Sequence, residues 1–388
     1  MNKRRNNLFF AAVILLLLVF PLQGCGTKFG SSANDGGTGV STAEPAGTDE
    51  MDSTEPGTNE QADNNTGTQT DPSQTDPSQS TPPAVDLNAV KPNEAGRIMV
   101  VMFHNFVEEY KSGDKAYTTT FDAFGKLLDR LYASDYRLIS LSDYLNGTID
   151  TPAGCIPMVF TFDDGTAGQF NLIDENGALT VNPRSAVGIL EEFNKAHPDF
   201  GTKGTFFVNL GDQTFNGGGT VAQRLEYLIG RGFEIGNHTY THINLKETKS
   251  ADKIQQEIGE NQKKMLELIP GYVFNAFSLP YGAPAKDLKQ YVLKGEFEGV
   301  KYENHAIMEV GWDPAASPFG VKFDPLSVHR VRSSGITPVD ADLGWWLDNM
   351  KRDNQYVSDG DPSTVTVPES YAEYVDPARL GSQTLVKY

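Results

Sequence analysis

The stretch "IPMVFTFDDG" (156–165) decides how the chain folds. From Ile156 to Phe162 it is apolar or β-branched at every position but Pro157, with none of the in-out alternation of a half-solvated strand. A strand apolar on both faces is buried on both faces, which is the condition of a parallel sheet covered by helices. Asp163, Asp164 and Gly165 follow at once, so two carboxylates and a turn residue sit where the strand runs out. A lone "DDG" reads as a turn; what surrounds it decides whether it is more.

Working outward, the same grammar recurs. "GRIMVVMFHN" (96–105), "YRLISL", "KGTFFVNL", "FEIGNH" and "NAFSLPYG" read as strands. Between them, "TTTFDAFGKLLDRLYASDY" carries Phe121, Phe124, Leu127, Leu128 and Leu131 at helical spacing, and "SAVGILEEFNKAH", "VAQRLEYLIGRG" and "SADKIQQEIGENQKKMLELI" read as further helices. Strand-helix alternation without a long pause predicts a parallel sheet with helical crossovers, and a barrel fits best. Enzymes of that architecture place their chemistry at the C-terminal strand ends. Here four strand ends deliver His104, Asp163-Asp164, Asn237-His238 and Tyr281-Gly282 to one rim.

His238 and His242, in "EIGNHTYTHINL" (234–245), are spaced to share one face if the turn between them is helical. Two histidines and a carboxylate form a common shell for a catalytic divalent metal. The metalloprotease pattern needs Glu directly after the first His; Thr239 stands there, which excludes it. The third ligand comes from elsewhere, and Asp163-Asp164 is the available donor. Adjacent carboxylates on a strand end face different ways, so one can bind metal while the other takes a proton.

"TFDDG" and "NHTYTH", in that order, resemble the first two motifs of the polysaccharide deacetylase family, the NodB-homology carbohydrate esterases, over roughly residues 97–335. The resemblance implies a distorted (β/α) barrel of about seven strand-helix units. It also implies a metal, usually zinc, and removal of acetyl groups from N-acetylglucosamine or N-acetylmuramic acid units of a cell-wall or surface glycan. Carried over by position, Asp163 is the catalytic base, and Asp164, His238 and His242 are the metal ligands. Tyr281 supplies a backbone N–H to the oxyanion.

The chain departs from the family in two places. Ser278 and Leu279 stand before Pro280-Tyr281 where the family carries an Arg that orients the base. The loss of that Arg supports an alternative reading, a catalytically impaired glycan-binding surface lipoprotein. The general acid is expected at His329, in "PLSVHRVRSSG", with His104 as the alternative. Trp312 and Asp313 are candidates to border the sugar, and Trp345-Trp346 read as the core of a C-terminal helix.

The chain's ends place it in a compartment. Lys3, Arg4 and Arg5, an apolar run from Leu8 to Leu22, and "LQGC" ending at Cys25 resemble a lipoprotein signal. Residues 1–24 are thus expected to be removed and Cys25 to carry lipid, anchoring the protein on the outer face of a bacterial cytoplasmic membrane. Residues 25–95 read as a disordered tether, with "TDPSQTDPSQ" at 70–79 and one base, Lys28, against eleven acids from 28 to 90. The catalytic domain with its C-terminal extension is expected over 96–388. The net charge of −19 argues against a nucleic-acid partner, and no protein partner is implied. Cys155, the one cysteine besides Cys25, reads as a small buried hydrophobe.

Overall fold

The computed structural model describes residues 85–114, 116–282, 286–311, 313–333 and 341–388. Cys25, the signal, the tether to residue 84, and Trp312 lie outside the described residues. Among the described residues, no helix is long and apolar enough to cross a membrane.

Eight strands form one parallel sheet: β1 (Met99–Phe103), β2 (Tyr136–Leu138), β3 (Ile156–Asp164), β4 (Thr205–Val208), β5 (Glu234–Asn237), β6 (Ala276–Ser278), β7 (Ala306–Met308) and β8 (Val331–Arg332). They run in the order β7-β6-β5-β4-β3-β1-β8, and β2 also pairs with β3. At one end of the path Met308 of β7 bridges Val328, and three residues later Val331 pairs with Val101 of β1. The sheet therefore curls into a distorted barrel, closed by a single bridge and a two-residue strand.

Period-two alternation sorts the side chains. Met99, Val101 and Phe103 of β1 join Phe160 and Phe162 of β3 in one core cluster, whereas Val100, Val159 and Phe207 belong to a second. The first cluster takes in the apolar stripe of helix α1 (Phe121–Ala133), where Phe121, Phe124, Leu128 and Leu131 are buried. Thr120 caps that helix by accepting from the Ala123 N–H at 3.1 Å, satisfying one of the end donors. The rings of Phe162 and Phe206 stack with centroids 4.6 Å apart on adjacent strands. Truncating either to Ala would cost about 3–5 kcal/mol. Cys155 is buried and free, as expected.

Two expectations need correction. Residues 91–95, assigned above to the tether, are part of the folded domain: Asn93 and Glu94 are buried, and Glu94 accepts the Thr366 N–H at 2.8 Å. Low-complexity composition up to residue 90 masked the short polar run that follows it. Trp345 and Trp346 lie on a helix, α2 (Leu343–Asn349), but only Trp346 packs on the core, while Trp345 is exposed. The condition of a helical turn between His238 and His242, left open above, is not met: Thr239 and His242 have φ of 66° and 55° in an irregular loop.

Candidate metal and acid-base site

Asp164, His238 and His242 converge at the C-terminal strand ends, with one ligand atom from each lying within 4.8 Å of the others. His238 leaves the end of β5, and left-handed backbone at Thr239 and His242 folds the loop until the two rings lie 4.9 Å apart. Asp164 has φ of 82°, which breaks the alternation that would otherwise aim its carboxylate opposite to its neighbours on β3. Tyr281, with φ of 56°, is the fourth site residue so held. Strained backbone of this kind persists only where surrounding structure over-determines it.

The helix Ala251–Leu268 supplies that support, which explains polar residues on its buried face. Asn261 donates to Val208 O and to Asn237 Oδ1, and Asn237 Oδ1 also accepts the Thr239 N–H at 2.9 Å. The Glu257 carboxylate accepts from the N–H and hydroxyl of Thr241. Asn209 donates to the carbonyls of His238 and Thr239. The loop's backbone groups are thus satisfied by side chains of its neighbours, not by secondary structure of its own.

The donor set fits a divalent metal. His238 Nδ1 lies 2.9 Å from Ser278 O, and a carbonyl only accepts, so Nδ1 carries the proton and Nε2 presents its lone pair. Asp164 Oδ1 is buried without a hydrogen-bond partner among the described residues, 3.4 Å from His238 Nε2 and 3.3 Å from His242 Nε2. Ligands held about 2.0–2.1 Å from a tetrahedral ion sit roughly that far apart. Burial disfavours charge on His242 and lowers its pKa; for His238 the same burial is outweighed by Asp163 and Asp164, so its pKa is raised. A proton and a cation would compete for His238.

Asp163 faces the barrel interior and is fully buried against Arg330, a residue the motifs did not single out. Arg330 Nη1 donates to Asp163 Oδ1 at 2.7 Å and Nη2 to Oδ2 at 2.8 Å, a bidentate pair. The remaining guanidinium hydrogens go to Thr161 Oγ1, Ser278 Oγ and Glu309 O, so all five have acceptors. Burial alone would raise the Asp163 pKa, but Arg330 and then His238 hold it well below the usual carboxylate range. Ser278 also donates to Asp163 Oδ2 at 3.0 Å. The position lacking the expected Arg therefore makes room for a guanidinium arriving from the segment before β8. Alternation in "VHRVR" was the available signal: of His329 and Arg330, only one can face inward.

His329 is the one that does not. It is half-exposed, 3.8 Å from Glu309, and lines a separate cavity with Arg97 and Tyr144. The residue expected to be the general acid thus lines a cavity that the metal cluster does not. His104 instead shares the site's electrostatics: burial lowers its pKa, opposed by Asp163 and Asp164, and its buried Nδ1 has no partner among the described residues. Gln169 donates to the carbonyls of both His104 and Asp163, tying the two strand ends together. Tyr281 is exposed, its ring 4.7 Å from that of His242. Asp313 pairs with Arg97 at 3.6 Å and not with the metal cluster.

Residues 150–300 match the model of the family described as polysaccharide deacetylase. No curated protein matches the chain. Among solved structures, a polysaccharide deacetylase from Bacillus cereus is 17% identical over 66% of this chain and 69% of its own, with a TM-score of 0.48. The deacetylase PplD of Streptococcus pyogenes, solved with acetate, is 16% identical over 66% of this chain and 98% of its own, with a TM-score of 0.47. A pseudoenzyme of carbohydrate esterase family 4 from Bacillus anthracis is 24% identical over 26% of this chain and 33% of its own, with a TM-score of 0.21.

Proposed function

We propose that this chain, whose residues 150–300 match the polysaccharide deacetylase model, is a metal-dependent hydrolase that removes N-acetyl groups from a cell-wall or surface polysaccharide. The observation that carries the reading is the pairing of an orphaned, three-donor cluster with an adjacent carboxylate held ionised by Arg330. Asp164, His238 and His242 would hold the ion, and zinc suits two imidazoles and one carboxylate, as do cobalt and nickel. Such a metal supplies polarisation of the acetamide carbonyl and acidification of a water.

The protein's own groups do the rest. Asp163, ionised throughout the working pH range, accepts the proton of the attacking water. Its basicity is low because Arg330 stabilises the carboxylate, so the transfer depends on a water that is itself acidified. The Tyr281 N–H, at a strand end beside His242, is offered to the developing oxyanion. His104, which burial keeps uncharged, takes the role of general acid by receiving the proton that Asp163 has taken from the water and passing it to the departing sugar amine. Lipid on Cys25 would hold the enzyme on the outer membrane face, where such glycans lie.

The impaired, glycan-binding alternative rested on the missing Arg. Arg330, from the segment before β8, meets the Asp163 carboxylate in a bidentate pair, which favours the enzyme reading. The test is acetate release from chitooligosaccharides and peptidoglycan by apo-protein reloaded with zinc, cobalt or nickel. Metal-dependent release that Asp163→Asn abolishes is expected; no bound metal and equal activity in the two proteins would overturn it.

A further inference from the structure

A concavity of about 810 Å³ lies away from the metal site. It lies outside the barrel wall, on the side of the segment before β8 from which Arg330 turns away, and the C-terminal extension forms its far wall. Asp163, Asp164, His238 and His242 do not line it. Its size falls within the roughly 300–1,000 Å³ of ligand sites.

Two features of the lining point to a ligand. Tyr371 and Tyr374, on the turn Glu369–Tyr374, set their rings 5.6 Å apart at 61°. Tyr374 is 44% exposed, and Tyr371 is oriented by its hydroxyl, which donates to Asn354 Oδ1. Tilted, partly exposed tyrosines offer apolar faces with polar tips, which suit the C–H face and hydroxyl rim of a sugar ring. Lys322 and Lys351 are exposed on the same lining. The one carboxylate among the described lining residues, Asp324, is engaged in accepting the Leu326 N–H. This cationic pair stands out on a chain of net charge −19. The overall negative charge disfavours a densely charged nucleic acid, whereas a glycan with widely spaced acidic groups meets two local ammonium groups without that repulsion.

We propose that this cavity is a second saccharide-binding site, taking a strand of sparsely acidic polysaccharide apart from the deacetylation centre. The site would hold the polymer on the domain while the metal site works elsewhere along it, and its binding does not depend on the deacetylase reading. The acidic group can be a carboxylate or a phosphodiester, and the probes separate these. Binding is measured by titration calorimetry on the full chain with a hyaluronan hexasaccharide, a short poly(glycerol phosphate), and uncharged chitohexaose. Saturable binding of one acidic probe is expected, weakened by salt and at least tenfold by Lys322→Gln with Lys351→Gln, and likewise by Tyr374→Ala. Acetate release from a short soluble oligosaccharide stays unchanged in these variants. Preference for the hyaluronan fragment assigns carboxylates, and preference for the other acidic probe assigns phosphodiesters. No binding of either acidic probe, binding indifferent to all three substitutions, or chitohexaose binding as tightly as both would overturn the proposal. Circular dichroism of each variant separates lost binding from lost folding.

Discussion

Two pairs of neighbouring carboxylates among the described residues meet burial in opposite ways. At the rim, Asp163 is matched by a guanidinium and Asp164 by two imidazoles, and both pKa values fall although burial pushes each upward. Where the described chain enters the domain, Glu94 meets Asp359 with no cation among the described residues paired to either. Burial first, then Asp359, drives the Glu94 pKa to about 8. Its partners are hydroxyl and N–H groups of Tyr356, Asp359 and Thr366. Burial sets the cost of a charge, and the partner decides whether a cation or a proton meets it. The rim keeps its charges and leaves polar atoms unsatisfied, as a site must; the entry junction discharges itself and serves to fasten the C-terminal extension to the first residues of the domain.

The comparison breaks most readily at Asp163. Asp163→Asn should lower kcat/KM for acetate release by roughly 10²–10⁴-fold, with metal content by elemental analysis unchanged. Arg330→Met leaves a buried carboxylate without its partner, and urea unfolding should report a loss of about 3–5 kcal/mol. Activity should fall with it, and a variant as stable as the parent would show that the pair is not carrying the interior. At the entry junction the sign is reversed. Between the ordinary Glu value of 4.5 and about 8, folded Glu94 keeps a proton that the unfolded chain has released. Stability therefore declines as pH rises through that window, and Glu94→Gln should flatten the decline by on the order of a few kcal/mol between pH 5 and pH 9. Parallel stability profiles for the two proteins would remove the distinction drawn between the pairs. The smallest effect is the sharpest on the acid: His329→Ala should leave acetate release within about twofold, while His104→Ala should reduce it roughly 10²-fold or more.

Much of this was legible in the sequence because it depended on local order. Apolar strands separated by periodic helices required a parallel, helix-covered sheet, and charged residues at consecutive strand ends required a common rim. Asp163, Asp164, His238 and His242 could be named because motif spacing fixes their order along the chain. Arg330 could not be, since its pairing with Asp163 spans 167 residues and depends on how the barrel closes. His329 was preferred for its chemistry, which did not reveal that Arg330 would turn to Asp163 while His329 faces out beside Glu309. The spacing of His238 and His242 left the conformation of their loop open, and Asn209, Asn237, Asn261 and Glu257 from three other segments hold it in left-handed turns.

The sequence alone determined the barrel, its working rim and the donor types gathered there, because burial periodicity and ligand chemistry are properties of residues and their spacing. Only the tertiary structure decided which cation meets Asp163, which of His104 and His329 lies beside the rim carboxylates, and which buried carboxylate is pushed toward its protonated form. Those outcomes depend on distances between residues far apart in the chain, and in a low-dielectric interior a few ångströms decide the charge a group can keep.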